Sequence, residues 1–246
     1  MRISETITNS LKRRAQTKRL ESYLRNHVRH YKPSYIYSPD EREGAAPNLL
    51  KLALEAIQKA SETDLKVLAG SFAADTAGFI TAWPGEHYRL LAGIASVVKP
   101  RLAIEIGTAT GASALCVKKQ LLPGCRLISY DIVPWDEYPQ TGLRKTDFDG
   151  QLEQRVMDLT RPETAAGQRE TFKAADLIFI DAAKDGRMEQ VFCDYLDSVK
   201  FDRPPLVVFD DIKFYEMIDV WHGIRHPKID LTSFGHWSGT GLVSWE

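Results

Sequence analysis

The chain is poor in cysteine, and the three it carries, Cys116, Cys125 and Cys193, are widely spaced. Without a paired or metal-ligand pattern they exclude a zinc framework and a disulfide scaffold. They read as reduced thiols in a cytoplasmic protein. No apolar run approaches the ~20 residues that span a bilayer, which excludes an integral membrane protein. The first residues also lack the apolar stretch of a secretory signal, a second reason to expect the cytoplasm. Excess charge of one sign is missing as well. The formal net charge is −1, so no general attraction to nucleic acid is expected. Internal repeats and low-complexity tracts are absent. What remains is a soluble chain of 246 residues, 43% apolar, long enough for one α/β domain with extra elements.

Residues 1–32 are rich in Arg and Lys, with Ile3, Ile7, Leu11, Leu20, Leu24 and Val28 at helical spacing. A basic amphipathic helix of this kind touches an anionic membrane surface or a partner, or it packs on its own domain or a second subunit. The scarcity of apolar residues favours packing, and a homodimer interface is one use of it. Residues 32–47 hold three prolines among charges and read as a linker or covering loop. Amphipathic helices follow at 48–59 and 84–98. From residue 100 the rhythm becomes strand, helix, strand. Strands are expected near 101–106, 126–131, 154–158, 176–181, 205–210, 229–235 and 240–245. Helices are expected near 112–120, 162–173, 185–199 and 213–223. Such alternation predicts a Rossmann-like doubly wound sheet, mainly parallel, with an antiparallel C-terminal edge hairpin. The chain thus divides into an N-terminal helical extension and covering segment, 1–82, and a ligand-binding domain, 83–246.

Glycine is sparse where it matters most. The stretch Glu105-Ile106-Gly107-Thr108-Ala109-Thr110-Gly111-Ala112-Ser113 closes a strand, turns tightly and opens a helix. It has no Gly-x-Gly pair, so the dinucleotide fingerprint is not met, and a hydride-transfer constellation is also missing. Ligands of open parallel sheets bind at the carboxyl ends of strands. Here those ends read Glu105, Asp131, Asp158, Asp181 and Asp210-Asp211. Asp131, at the end of the second strand, can accept both hydroxyls of a ribose.

The segment Glu105-x-Gly107-x-x-x-Gly111 resembles motif I of class I S-adenosylmethionine (SAM)-dependent methyltransferases. That resemblance implies the class I methyltransferase fold and SAM as cofactor, held by Glu105, Gly107, Gly111, Ser113, Asp131 and Asp158. It puts Asp131 on the ribose, Asp158 beside the adenine amine, and Ser113 on the methionine carboxylate. It also implies that the region of Trp83, Glu86, His87 and Tyr88 approaches cofactor or acceptor, although simple packing explains Trp83-Pro84 equally well. The segment His236–Gly241, between the last two strands, is expected to lie over the acceptor site or to be an ordinary glycine-rich connection. Trp221 is expected in the core and His222 at the surface.

Three carboxylates, Asp181, Asp210 and Asp211, fall at adjacent strand ends, ~5 Å apart. Like charges so close call for a cation. Oxygen-only ligands point to Mg²⁺, or to Ca²⁺ or Mn²⁺, rather than zinc. The pattern Asp181-Ala182-Ala183-Lys184 followed by Asp210-Asp211 resembles the cation-dependent catechol and caffeoyl-CoA type O-methyltransferases. Asp211 stands where those have asparagine, and an Asp-Asp pair is similar to metal-dependent sugar O-methyltransferases. The resemblance implies metal ligands Asp181, Asp210 and Asp211, catalytic roles for Asp181 and Lys184, and a small-molecule acceptor with neighbouring hydroxyls. Near a cation and a sulfonium, Lys184 is expected to have a depressed pKa and to act as base. Two alternatives stand beside this. One is a metal-independent class I methyltransferase whose Asp210 and Asp211 only cap a helix. The other is a non-catalytic SAM-binding module acting through its basic N-terminal helix.

Overall fold

A run such as Leu177-Ile178-Phe179-Ile180 has no polar face to turn toward water, so it must be covered on both sides. The computed structural model describes residues 46–246 and sets this run at the centre of a seven-stranded sheet. The strands are β1 (Leu102–Ile106), β2 (Arg126–Asp131), β3 (Leu152–Val156), β4 (Leu177–Ile180), β5 (Leu206–Asp210), β6 (Lys228–Asp230) and β7 (Thr240–Ser244). Their order across the sheet is β3-β2-β1-β4-β5-β7-β6. β1 to β5 pair in parallel, and β7 runs antiparallel to both β5 and β6. This is the expected doubly wound sheet with an antiparallel edge hairpin.

The described helices are α1 (Pro47–Glu62), α2 (Lys66–Ala69), α3 (Ala74–Thr81), α4 (His87–Val98), α5 (Ala112–Lys118), α6 (Pro162–Gly167), α7 (Arg169–Lys173), α8 (Arg187–Ser198) and α9 (Met217–Gly223). Alternate residues of each strand point to opposite faces, so one strand feeds two cores. Ala103, Leu127, Phe179 and Val208 pack with Leu49 and Ala53 of α1, Leu90 and Ile94 of α4, and Leu115 of α5. Ile104, Ile128, Ile178 and Phe209 pack with Phe172 of α7, Phe192 and Leu196 of α8, and Trp221 of α9. Trp221 is in the core as expected.

Several boundaries differ from those read in the sequence, each for a local reason. β3 starts two residues early because Gly150, with φ of 99°, ends the turn and Leu152 anchors the strand opposite Leu127. β6 stops at Asp230, whose side chain accepts from the Thr232 N–H at 2.8 Å and so competes with the ladder. The helix expected at 162–173 breaks at Gln168 into α6 and α7. The helices α2 and α3 had no counterpart in the sequence reading. The basic helix expected within 1–32, and nearly all of the expected linker, lie outside the described residues. Among the described residues no helix is long and apolar enough to cross a membrane.

Candidate active site at the carboxyl ends of the strands

The glycine loop leaves β1 under tight constraint. Gly107 has φ of 105°, and a Cβ there would overlap the Asp181 carbonyl oxygen. Only glycine meets both demands. Gly111, with φ of 80°, sits against the Leu143 side chain, which a Cβ would overlap. Asp131, at the end of β2, holds the loop from below. Its Oδ2 accepts the N–H groups of Thr108 at 2.8 Å and Ala109 at 3.1 Å, and its Oδ1 accepts that of Val133 at 3.0 Å. A carboxylate oxygen has two lone-pair positions, so Oδ1 retains one acceptor. The bidentate ribose contact expected of Asp131 would displace loop N–H groups, whereas a single contact through Oδ1 leaves them in place.

Glu105 and Ser113 meet each other beneath this loop. Glu105 is buried and accepts from Ser113 Oγ at 2.5 Å and from Ser129 Oγ. Burial raises the Glu105 pKa to about 7, and the two hydroxyls only partly oppose that rise. Asp158 lies just beyond β3 and accepts from the Thr160 N–H and hydroxyl, at 2.9 and 2.5 Å, which lower its pKa. Gly107, Asp131, Asp158 and Asp181 all line one cleft of about 260 Å³, with Met157 and Phe192 as apolar walls. Of the residues expected to hold the cofactor, Gly107, Asp131 and Asp158 thus line this cleft together with Asp181, whereas Glu105, Gly111 and Ser113 do not.

Beside the cleft lies a denser cluster. Lys184 Nζ stands 2.9 Å from Asp181 Oδ1 and 3.7 Å from Asp210 Oδ2, and pairs with Asp211 Oδ2. Two histidines complete it. Gly85 and Trp237 exchange backbone hydrogen bonds with the opposite segment, Gly85 N–H to the Gly235 carbonyl and Trp237 N–H to the Gly85 carbonyl, both at 3.2 Å. That pairing brings the start of α4 against the β6–β7 connection. His87 Nδ1 then lies 3.4 Å from Asp210 Oδ1, and His236 Nδ1 lies 3.4 Å from the same oxygen and 3.1 Å from Asp211 Oδ1. Glu86 Oε2 is 3.3 Å from His236 Nε2, and Ser238 donates to Asp211 while lying 2.7 Å from His236 Nδ1. Among the described residues, neither ring nitrogen of buried His87 nor the Oδ1 of Asp210 has a hydrogen-bond partner.

These groups set one another's protonation. For Lys184, burial opposes the charge, but Asp181, Asp211 and Asp210 outweigh it and hold the ammonium well above the ordinary lysine range. The depressed pKa expected of Lys184 is thus reversed, because the carboxylates surround the lysine directly. Burial likewise opposes charge on His236, yet Asp210 and Asp211 raise it to about 10. Asp210 is lowered despite its burial by His87 and His236, while burial and then Asp210 raise Asp181. Ala109, Lys184 and Asp211 adopt left-handed φ of 43°, 60° and 58°, and backbone strain in non-glycine residues gathers where the surroundings enforce it.

Glu86, His87 and His236 stand out in the sequence, but nothing there joins them to the acids. Their convergence depends on a loop pairing between segments far apart in the chain. The signal available was that Glu86 and His236 directly follow glycines, Gly85 and Gly235.

No family model matches the sequence, and no curated protein does. Among solved structures, the chain is similar to a Staphylococcus aureus structure named provisionally as a caffeoyl-CoA O-methyltransferase. The identity is 13%, the TM-score is 0.52, and the match covers 80% of this chain and 100% of that one. It is also similar to an SAH-bound methyltransferase from Podospora anserina, at 14% identity and a TM-score of 0.49, over 94% and 96% of the two chains. The first likeness shows the methyltransferase fold, in agreement with the strand order of the sheet.

Proposed function

We propose that this chain transfers a methyl group from SAM to a hydroxyl oxygen of a small molecule with neighbouring hydroxyls. The observation that carries this reading is that Asp181 belongs at once to the cleft and to the ionic cluster. A cofactor in the cleft and an acceptor at the cluster would therefore meet at one residue. In the cleft, Asp131 Oδ1 would accept from the ribose, Asp158 would face the adenine amine, and Met157 and Phe192 would flank the ring. The methyl–sulfur bond breaks as the methyl–oxygen bond forms, leaving a thioether and releasing the hydroxyl proton. Holding the two reactants in line supplies much of the rate.

A buried carboxylate oxygen without a donor, Asp210 Oδ1, fits a bound cation. Asp181, Asp210 and Asp211 are the residues expected to hold a divalent ion. When bound, such an ion polarises acceptor oxygens and makes a hydroxyl more acidic. Lys184 is held as an ammonium by the acids around it, so alone it orients and polarises the acceptor rather than taking its proton. It becomes a base only when another cation shares those carboxylates.

A second reading is favoured by Lys184 itself. Its ammonium already pairs with all three acids, so a metal-independent transferase is compatible with the cluster. Calorimetric titration with SAM, followed by a mass-spectrometric screen of catechols, phenylpropanoid esters and sugar diols, tests both. Methylated product that disappears after metal stripping and returns with added ion supports the first reading. Full turnover in chelator supports the second, and absence of SAM binding removes both.

A further inference from the structure

Asp210 and Asp211 each turn one oxygen toward Lys184 and the other toward a histidine. The Oδ2 atoms, with Asp181 Oδ1, surround the Lys184 ammonium. The Oδ1 atoms face His87 Nδ1 and His236 Nδ1. The oxygen-only cage expected to take Mg²⁺ thus already contains a cation, the lysine. The opposite side contains nitrogen.

We infer that the divalent-cation position lies on the histidine side, as a nitrogen–oxygen centre built from Asp210, Asp211 and His236, with His87 Nδ1 beside the same Asp210 oxygen. This centre selects a first-row transition ion over Mg²⁺. The inference rests on the reading that a divalent ion serves this site, and it changes both the place and the kind of ion.

Three observations carry it. His87 is 4% exposed, yet among the described residues neither ring nitrogen has a hydrogen-bond partner, and Nδ1 lies 3.4 Å from Asp210 Oδ1, which has none either. An imidazole nitrogen and a carboxylate oxygen left unsatisfied together in the interior are costly, and one shared cation satisfies both. The spacing also fits. Donors bound to a common ion at about 2.1 Å lie about 3.0–3.4 Å from one another, from octahedral to tetrahedral geometry. The separations are 3.4 Å for His87 Nδ1 to Asp210 Oδ1, 3.4 Å for His236 Nδ1 to Asp210 Oδ1, and 3.1 Å for His236 Nδ1 to Asp211 Oδ1. Finally, the far nitrogen of His236 is 3.3 Å from Glu86 Oε2. A carboxylate behind a histidine fixes the ring and raises its basicity, as is usual for metal-bound imidazoles. Ser238 Oγ, 2.7 Å from His236 Nδ1, would exchange that hydrogen bond or join the ligands.

Donor chemistry then sets selectivity. Mg²⁺ demands hard oxygen donors and gives up water reluctantly, whereas imidazole suits zinc, iron, cobalt and nickel. An imidazole nitrogen beside the two carboxylates favours the transition ions.

The test uses full-length protein stripped with chelator and titrated separately with Co²⁺, Zn²⁺ and Mg²⁺, by calorimetry and, for Co²⁺, by visible d–d absorption. One Co²⁺ or Zn²⁺ per chain is expected, bound at least about 100-fold more tightly than Mg²⁺, in line with the affinity order of nitrogen-containing sites. His236→Ala should weaken Co²⁺ by about 100-fold or more, since even losing an outer partner of a ligand costs about 10–100-fold. His87→Gln should do the same, with a thermal melt verifying folding. His236→Ala, at the less buried position, carries the test should His87→Gln fail to fold. Lys184→Met should leave the Co²⁺ spectrum in place and should not weaken Co²⁺ binding, since it removes a positive charge from the same carboxylates. The inference is overturned if Mg²⁺ binds as tightly as Co²⁺, if the histidine variants leave the d–d spectrum intact, or if no divalent ion binds. SAM titration of the same samples reports separately on the methyltransferase reading, which fails if Co²⁺ binds as described and SAM does not.

Discussion

Asp131 shows how one carboxylate can shape a loop and still offer an acceptor. Its Oδ2 is committed to the Thr108 and Ala109 N–H groups, so the loop and the ligand contact depend on the same charge. Asp131→Asn removes that charge and turns one acceptor into a donor. A charge-assisted hydrogen bond is worth about 1.5–3 kcal/mol. SAM affinity should therefore fall by about 10–100-fold in calorimetry, and an unchanged affinity would remove Asp131 from the cofactor site. Glu189 acts one step further away. Buried at the start of α8, it accepts from the backbone N–H of Lys184 at 2.7 Å and of Gly186 at 3.1 Å. These bonds hold Lys184 in its left-handed conformation. Glu189 is thus a positioning residue. Glu189→Ala should lower kcat by about tenfold with little change in the KM for SAM, because it displaces Lys184 and leaves the cleft in place. A rise in KM at constant kcat would contradict that role.

At the scale of elements, a buried lysine ends a helix. Lys228 on β6 is 1% exposed, and its Nζ donates to the carbonyls of Trp221 at 2.6 Å and Ile224 at 3.0 Å. Those carbonyls close α9, whose C-terminal dipole a cation stabilises. The ammonium also lies 5.0 Å from the centre of the Trp221 ring. Lys228→Met keeps most of the volume but strands two buried acceptors. It should destabilise the protein by about 2–4 kcal/mol in urea unfolding, while SAM affinity stays unchanged. A loss below 1 kcal/mol, on the order of one ordinary neutral hydrogen bond, would deny the cap. Elements of this kind differ in how far they can be read from residues. Runs such as Leu177–Ile180 and Val207–Phe209 announced a buried parallel sheet because nothing polar interrupts them. The acids at the ends of β1, β2, β4 and β5 were legible because a parallel sheet gathers its ligand-binding residues at the carboxyl ends of its strands. Lys228 was not, since a lysine at a strand start reads as solvated. Neither was the meeting of His87 and His236, which arises from the pairing of Gly85 with Gly235 and Trp237 and has no periodicity.

Over the whole molecule the formal charge is nearly balanced, yet the balance is uneven in space and this shapes the response to pH. Glu105 and His236 are among the groups whose pKa folding raises, and both push stability the same way. Glu105 ionises near 4.5 when free and at about 7 when folded, because burial penalises its charge. Between those values the folded state keeps a proton that the unfolded chain has released, so stability falls as pH rises. His236 moves from 6.5 to about 10, with Asp210 and Asp211 overcoming the burial that opposes its charge. Its contribution is complete below about pH 6.5 and is lost as pH climbs through 10. Asp210 and Asp211, both lowered by folding, work in the opposite sense and lose stability only in acid, below 3.8. Chelator-treated protein should therefore be most stable in mildly acidic solution and decline steadily toward pH 10. The two contributions separate by substitution. Glu105→Gln should flatten the decline between 4.5 and 7 and leave the alkaline limb alone. His236→Gln should flatten the limb between 6.5 and 10 and leave the acid side alone. Urea unfolding midpoints across that range measure both, and three parallel curves would show that neither group is linked to folding as its surroundings require.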